Sequence, residues 1–318
     1  MHIIIVVLLL ILGFVLIIKG GSFFVDAASW IAEVSGIPKI IIGATIVSIA
    51  TTLPELLVST MAAAEGKVDI AIGNAVGSVT ANIGLILAVG IIAIPAVIKR
   101  KEYAFKSILM LLASVLIVLF GRQGSIGVGV SAFLLVIFVL FMIENVYSAK
   151  RSMDHGTEEK TEVAKDKKTV IINIVKFVAG AAGIIIGADL LVDNGSELAR
   201  IFGVSERIIA VTLVAVGTSL PELITTLTAI AKKQSALSVG NILGANIIDL
   251  TLIMPLSSLV SGKSLPVSAT TAAIDFPACL IVGALAVIPA LIFSRFYRWQ
   301  GIAILAVYAV YLVITCMA

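Results

Sequence analysis

Ten long apolar stretches, separated by short polar segments, constrain this chain more than any other feature of its sequence. They cover residues 2–18, 40–64, 68–98, 104–121, 125–147, 169–192, 205–231, 235–260, 268–293 and 300–317. A helix that crosses a bilayer needs about 20 apolar residues. Only 13% of the 318 residues are charged, about half the share found in soluble domains. The sequence therefore predicts an all-α polytopic membrane protein with ten transmembrane helices in the lipid bilayer.

The sparse basic and reactive residues argue against several other classes of protein. The net charge is +3 and no basic face stands out, so we expect no nucleic-acid partner. Cys279 and Cys316 lie in apolar stretches, while His2 lies at the N-terminus and His155 in a charged loop. These residues form no metal or nucleophile motif, so we expect neither an enzyme nor a bound cofactor. Residues 3–18 lack a basic leader and a clear cleavage site, so we expect a first span there.

The distribution of Lys and Arg predicts the orientation in the membrane. If the polar linker 148–168 is cytoplasmic and the chain alternates, 17 of the 22 basic residues lie at cytoplasmic ends and 5 at outer ends. Short cytoplasmic loops of membrane proteins are enriched in these residues. We therefore expect a plasma-membrane protein with both termini outside and a cytoplasmic central linker.

An internal repeat relates the two halves of the chain. A shift of 167 residues places Thr51–Leu56 on Thr218–Leu223, Gly73–Gly77 on Gly240–Gly244, and Asn82 on Asp249. Each half has five spans, and because five is odd, the second half enters the membrane from the opposite side. The predicted units are residues 1–147, the linker 148–168 and residues 169–318. Inverted repeats of this kind are typical of secondary transporters, which bind their substrates where the repeats meet.

Three acidic residues lie deep within the predicted spans, at Glu55, Glu222 and Asp249. A charge at the bilayer centre costs at least about 2.5–3.5 kcal/mol on insertion scales, and no Lys or Arg lies at a comparable depth. Polar side chains occur nearby in both halves, at Thr51, Thr52, Ser78, Asn82, Thr218, Ser219 and Asn246. Buried carboxylates without a basic partner require protons or a bound cation.

Proline supplies a second component of the expected site. Pro54 and Pro221 lie within spans and lack an N–H, so they leave carbonyl oxygens near Ala50 and Gly217 without helical donors. Freed carbonyls, hydroxyls and carboxylates together make an oxygen cage, which suits hard cations such as Ca2+ and Na+. We expect Asn74 and Asn241 to hold the broken backbone.

At these residues the sequence resembles the cation/Ca2+ exchanger superfamily, in its prokaryotic sodium/calcium exchanger-like branch. The motif Gly-Thr-Ser-x-Pro-Glu is intact at residues 217–222, and its first-half counterpart is Ala50–Glu55. The resemblance covers essentially the whole chain and implies four cation sites that share two glutamates. It also implies that the first and sixth helices slide past the others to alternate access.

The resemblance assigns ligands to these sites. It implies a Ca2+ site made by Glu55, Glu222 and the backbone oxygens of Thr51 and Thr218. It implies a central site in which Asn82 and Asp249 join both glutamates. The implied Na+ sites are an inner one, made by the Ser48 backbone, Thr51, Thr52, Glu55 and Ser78, and an outer one, made by the Ala215 backbone, Thr218, Ser219 and Glu222. Ala245 stands where the family has a serine in the outer site.

Together these features predict a secondary active antiporter that exchanges Ca2+ for Na+, acting without an obligatory protein partner as a monomer. The alternatives with the same fold are an H+/Ca2+ exchanger and a K+-dependent exchanger. A cation channel is an alternative from a different class of protein, in which the same polar residues would line a pore. The chain carries its own two-fold pseudo-symmetry, whereas channels usually form symmetric oligomers, and this favours the antiporter.

Overall fold

The computed structural model describes residues 2–95, 97–155, 166–203, 217 and 219–317, and this part of the chain is mostly helical. The α-helices are α1 His2–Ser35, α2 Lys39–Ile42, α3 Ser48–Thr51, α4 Leu53–Ala64, α5 Val68–Ala81, α6 Ala88–Ala93, α7 Arg100–Gly121, α8 Val128–His155, α9 Lys167–Ile201, α10 Leu220–Ala231, α11 Ser235–Ile248, α12 Met254–Ser261, α13 Phe276–Phe293 and α14 Arg298–Met317. The wider π-helical segments are Gly43–Val47, Asn82–Leu87, Asp249–Ile253 and Thr271–Asp275.

The described helices are those of a multi-pass membrane protein. Eight of them are long and apolar enough to cross a membrane, and the bent pair Lys39–Thr51 and Leu53–Ala64 makes a ninth when counted as one span. Their outer faces carry large apolar side chains, such as Ile4, Leu8 and Ile18 of α1, each more than half exposed. The expected seventh span, 205–231, lies partly outside the described residues, which include its end as α10. A total of ten spans thus remains a prediction.

The second span breaks where the sequence places proline. Pro54 lies in the first turn of α4 and cannot donate to the carbonyl of Ala50. The chain bends by 47° between Thr51 and Leu53, so the predicted break is confirmed. α10 begins in the same way, with Pro221 in its first turn.

Helices α1 and α9 pack backbone against backbone. A Cβ added to Gly20 would lie 2.8 Å from the carbonyl oxygen of Gly180, and one added to Gly180 would lie 2.6 Å from the amide nitrogen of Phe24. Small residues allow membrane helices to approach this closely. These two helices therefore form a paired unit, and they are the helices that the repeat relates to each other.

Helix α11 lies at the centre of the protein, with 12 of its 14 residues buried. Gly240 faces the backbone of Ile40 and Ala44, and Gly244 faces Ala44 and Ser48. The eighth expected span thus packs on the second, across the two halves of the chain. A Cβ added to Gly73 or Gly77 would meet no described atom within 4 Å, so the equivalent glycines of the first half make no such close approach within the described ranges.

Two short pairings add extended structure to the all-α prediction. Strand β1 (Ser125–Ile126) pairs antiparallel with β2 (Leu265–Pro266), and Val97 forms an isolated bridge with Arg295. Each pairing joins a loop of the first half to a loop of the second. Two-residue strands carry no periodic signal, which explains why the sequence did not predict them.

One basic residue lies deeper than the sequence suggested. Lys106, which we expected at a cytoplasmic span end, is fully buried in α7. Its ammonium group donates to the carboxylate of Glu144 in α8, and Ser148 donates to the other oxygen of Glu144 at 2.6 Å. A fully buried charge needs such a partner, and the pair ties α7 to α8.

Candidate cation site

Glu55 and Glu222 occupy equivalent positions, each in the first turn of a helix that has a proline at its N-terminal end. Both side chains are at most 1% exposed. The N-terminal end of a helix carries partial positive charge and unpaired N–H groups, so it favours a carboxylate. The proline therefore positions each glutamate at a helix end inside the membrane.

Asp249 and Asn82 are also equivalent, and each begins a π-helical segment. Such segments are frequent at functional sites because they displace side chains from the regular helical register. Asp249 is completely buried. The Thr52 hydroxyl, three residues before Glu55, donates to Glu222, and the segment that begins at Asp249 packs against α4 and α5. The structure thus brings the three predicted acids together from distant parts of the sequence.

Hydrogen bonds join the two halves around these acids. The Thr52 hydroxyl donates to Glu222 Oε1 at 3.3 Å, and the Thr51 hydroxyl donates to Asn241 Oδ1 at 3.3 Å. The Asn82 amide donates to Asn246 Oδ1 at 3.1 Å. Every one of these bonds links residues at least 164 positions apart. The site is therefore built at the boundary between the two halves.

Five carboxylate oxygens in this cluster are buried without a hydrogen-bond partner among the described residues. They are both oxygens of Glu55, both of Asp249, and Oε2 of Glu222. None of the described ion pairs includes these three acids. A buried charge without a partner costs several kcal/mol or more on the order-of-magnitude scale of desolvation. The arrangement is thus suited to a positive ion or to protons.

Oxygen atoms from groups other than carboxylates are needed to surround a cation completely. In the described part of the chain, no group of three or more His, Cys, Asp and Glu side chains is placed to hold one metal ion. The nearby polar atoms are hydroxyls, amides and the carbonyls freed by proline. Hard cations accept such mixed oxygen ligands.

The remaining predicted site residues divide into buried residues and residues outside the described ranges. Ser48, Ser78 and Ser219 are all buried. The Ser48 hydroxyl donates to the carbonyl of Thr45 at 3.1 Å, and the Ser219 hydroxyl has no described partner. Thr218 and Ala215 lie outside the described residues, so their expected roles remain predictions.

The two asparagines expected to hold backbone behave differently. The Asn74 amide donates to the carbonyl of Glu55 at 3.2 Å and to the Ser59 hydroxyl at 2.9 Å, as expected. Asn241 instead accepts from Thr51 of the other half. Its tertiary partner could not be read from local sequence, although the repeat identifies Asn241 as the equivalent of Asn74.

The sequence also missed polar residues that lie within spans. Asp275 ends a π-helical segment and accepts a hydrogen bond from the Tyr311 hydroxyl at 3.1 Å. The sequence predicts Asn246 as a polar neighbour of the acids but not as a site residue. In the structure it accepts a hydrogen bond from Asn82. The position of Asp275 inside the apolar stretch 268–293 could have identified it from the sequence.

A pocket lies at the start of α4 and α10, and an ion pair joins the other end of α10 to α1. A pocket of about 220 Å³ reaches Pro54 and Pro221 and is lined by Asp189, Val192 and Asp193 of α9. At the other end of α10, the Lys232 ammonium lies 2.7 Å from a carboxylate oxygen of Asp26 in α1. It also donates to the Ser22 hydroxyl at 2.7 Å.

Comparison with known proteins places this arrangement in a family. The sequence profile of the family described as sodium/calcium exchanger protein matches residues 5–146 and 172–317. The sodium/calcium exchanger MaX1 of Methanosarcina acetivorans is 30% identical over 350 residues, covering 96% of this chain and 97% of the relative. The inner membrane protein YrbG of Escherichia coli is 36% identical over 259 residues, covering 80% of this chain and 79% of the relative.

The fold is also similar to a solved structure of the sodium-calcium exchanger NCX_Mj soaked with Na+ and Sr2+. The TM-score is 0.83 at 29% identity, and the similarity covers 98% of this chain and 99% of the other. The chain belongs to the sodium/calcium exchanger family, whose members are multi-pass membrane transporters that exchange cations for Ca2+.

Proposed function

We propose that this protein is an antiporter that moves Ca2+ against Na+ by alternating access, with Glu55 and Glu222 shared by both ions. The observation that supports this most strongly is the set of five buried carboxylate oxygens without a described partner. Two ionised glutamates neutralise one Ca2+, which leaves the occupied site near electrical neutrality. Oxygen donors from both halves match the ligand preference of Ca2+ and Na+.

Obligatory exchange follows if the ions compete for the same carboxylates. An empty carrier would hold repelling negative charges in a low-dielectric site, which disfavours its conformational change. Either Ca2+ or monovalent cations remove that cost, so the carrier moves only when it is loaded. Because both glutamates come from one chain, a monomer suffices for this mechanism.

The residues assigned to individual ions follow the resemblance. Ca2+ takes Glu55, Glu222 and the backbone oxygens of Thr51 and Thr218, while Asn82 and Asp249 form the central site with the glutamates. The inner Na+ site uses Ser48, Thr51, Thr52, Glu55 and Ser78. The outer Na+ site uses Ala215, Thr218, Ser219 and Glu222. The burial of Ser48, Ser78 and Ser219 supports these sets.

Exchange of Ca2+ for H+ is the second candidate function. Ala245 is fully buried in α11, and its methyl group stands where the family has a serine hydroxyl. The loss of an oxygen weakens a Na+ site but leaves carboxylates that can be protonated. The same five unpartnered oxygens therefore fit this alternative as well.

Ca2+ flux under separate gradients distinguishes the two functions. The purified protein is reconstituted in vesicles, and 45Ca2+ uptake is measured with an imposed Na+ gradient at equal pH, then with a pH gradient in the absence of Na+. Sodium-driven exchange predicts uptake in the first condition and only background uptake in the second. The reverse result would replace the proposal by H+/Ca2+ exchange.

The proposed architecture has ten spans in two inverted repeats, residues 1–147 and 169–318, joined by the linker 148–168. The family profile matches two stretches of similar length on either side of the linker. Ser125 pairs with Pro266, and Val97 pairs with Arg295. Loops that touch lie on one side of the membrane, so an even number of crossings must separate them. Ten alternating spans meet that condition for both pairs.

The proposed orientation has the linker inside and both termini outside, in the plasma membrane. It rests on the bias of basic residues toward one side. A membrane-impermeant thiol reagent added outside intact cells should label a cysteine at Lys263 and not one at Lys150, in a chain whose own cysteines are replaced by alanine. Labelling of Lys150→Cys alone would reverse the orientation.

A further inference from the structure

The side-chain amide nitrogens of two equivalent asparagines differ in their hydrogen bonds. The Asn74 amide nitrogen donates to Ser59 and to the carbonyl of Glu55. The residues equivalent to these, 167 positions later, are Asn241, Thr226 and Glu222. The Asn241 amide nitrogen makes neither of the equivalent bonds, while its carbonyl oxygen accepts from Thr51.

The second half contains both groups that could form the bond equivalent to Asn74–Ser59, but they are not bonded to each other. The Asn241 amide nitrogen and the Thr226 hydroxyl are both buried without a hydrogen-bond partner among the described residues. Thr226 instead borders a cavity of about 20 Å³. An unsatisfied buried polar group is costly in a folded protein. Two complementary groups left in this state, on helices α10 and α11 that pack together, are expected to pair in another conformation.

The difference between the two asparagine amides agrees with a difference between the two ends of α10. The pocket lined by Val192 and Asp193 of α9 includes Pro54 and Val58 of α4, the helix that Asn74 holds through Ser59, and it reaches Pro221 at the start of α10. At the end of α10, where the clamp is released, Lys232 ties Asp26 and Ser22 of α1. Inverted repeats interchange their conformations when access alternates, so the bonding patterns of the two asparagines should interchange too.

We propose that Asn74 and Asn241 are alternating clamps that position the glutamates. In the state described here, Asn74 holds α4 to α5 through Ser59, and Asn241 bonds Thr51 across the repeats. In the opposite state, Asn241 holds α10 to α11 through Thr226 and the carbonyl of Glu222, and Asn74 releases Ser59. Each clamp thereby fixes the helix that carries the glutamate of its own repeat. This inference rests on the proposed inverted repeats and alternating access.

Two single substitutions should shift the conformational balance in opposite directions. Ser59→Ala removes a partner used in the present state, while Thr226→Val removes one used only in the opposite state. Reporter cysteines are Val192→Cys, in the pocket that the proposed orientation places on the outer side, and its repeat equivalent Val25→Cys, which is fully buried here. Each reporter is placed in a chain lacking Cys279 and Cys316. Labelling rates are measured with an impermeant thiol reagent, added outside for the reporter at position 192 and inside for the reporter at position 25.

One hydrogen bond corresponds to a shift of roughly two- to tenfold in a two-state balance. Ser59→Ala should lower labelling at position 192 and raise it at position 25 by that factor, and Thr226→Val should do the reverse. Thr225→Val is the matched control, since Thr225 is also buried without a described partner but is equivalent to Val58, not Ser59. It should shift neither rate.

The outcomes separate the clamp from the transport mechanism. If the two reporters of the otherwise unaltered chain do not respond reciprocally to Ca2+ and Na+, alternating access fails and the clamp fails with it. If they respond reciprocally but Ser59→Ala and Thr226→Val shift them in the same direction or not at all, the clamp is refuted and the proposed antiport stands.

Discussion

Replacing Glu222 by Gln should reduce Na+-driven 45Ca2+ uptake into vesicles by at least about 100-fold. The substitution keeps the shape of the side chain but removes one of two charges that neutralise Ca2+. Removing one partner of a buried, paired charge costs about 3–5 kcal/mol, and each 1.4 kcal/mol is about a tenfold change in affinity. Glu55→Gln should have a comparable effect, because Glu55 is the equivalent buried residue of the other half.

Glu65→Gln provides the matched control for this loss. Glu65 is an exposed acid at the end of α4 that pairs with Lys67 in the same loop. Its neutralisation changes the net charge of the protein by the same amount, yet the exposed pair contributes little. Uptake should remain near the unaltered rate. Normal uptake by folded Glu222→Gln protein would exclude Glu222 as a shared ligand.

Gly240→Ala should destabilise the whole protein and not only the transport step. A Cβ at this position would overlap the carbonyl oxygen of Ile40 and lie 3.0 Å from the amide nitrogen of Ala44. Both are backbone atoms, so no side chain can rotate to make room. Overpacking of a tight interior costs about 1–3 kcal/mol or more. The thermal unfolding midpoint of the detergent-solubilised protein should fall by several degrees, on the order expected for that cost.

The control for Gly240→Ala is Gly129→Ala, also in a helix. Gly129 is exposed in α8, and an added Cβ would meet no described atom within 4 Å. Alanine there should leave the midpoint unchanged or raise it, since alanine has the higher helix propensity. An equal midpoint for both variants would show that α11 and the second span do not pack as closely as the structure indicates.

The sequence predicted the features that depend on local chemistry. Apolar stretches of sufficient length predict spans, and the break at Pro54 follows from a missing N–H. The depth of Glu55, Glu222 and Asp249 within these stretches marked them as functional because buried acids are expensive in lipid. Their proximity followed from the repeat, since inverted halves bring equivalent positions together at the midplane.

Features that depend on tertiary contacts could not be predicted in the same way. The partner of Asn241 is 190 positions away, and nothing in the periodicity around Asn241 distinguishes Thr51 from Thr226. Lys106 was expected at a span end because it is the third residue of the stretch 104–121, but α8 supplies Glu144 and allows it to be buried. The π-helical segments at Asn82 and Asp249 likewise depend on the packing of neighbouring helices.

The central claim is that one glutamate from each half holds the same divalent cation. Diffraction from crystals soaked with Sr2+, a heavier hard divalent ion, tests it most directly through the anomalous signal of the metal. The account predicts a peak within coordination distance of the carboxylates of both Glu55 and Glu222, which disappears in Glu222→Gln crystals soaked in the same way. A peak bound by only one of these residues, or lying away from both, would contradict it.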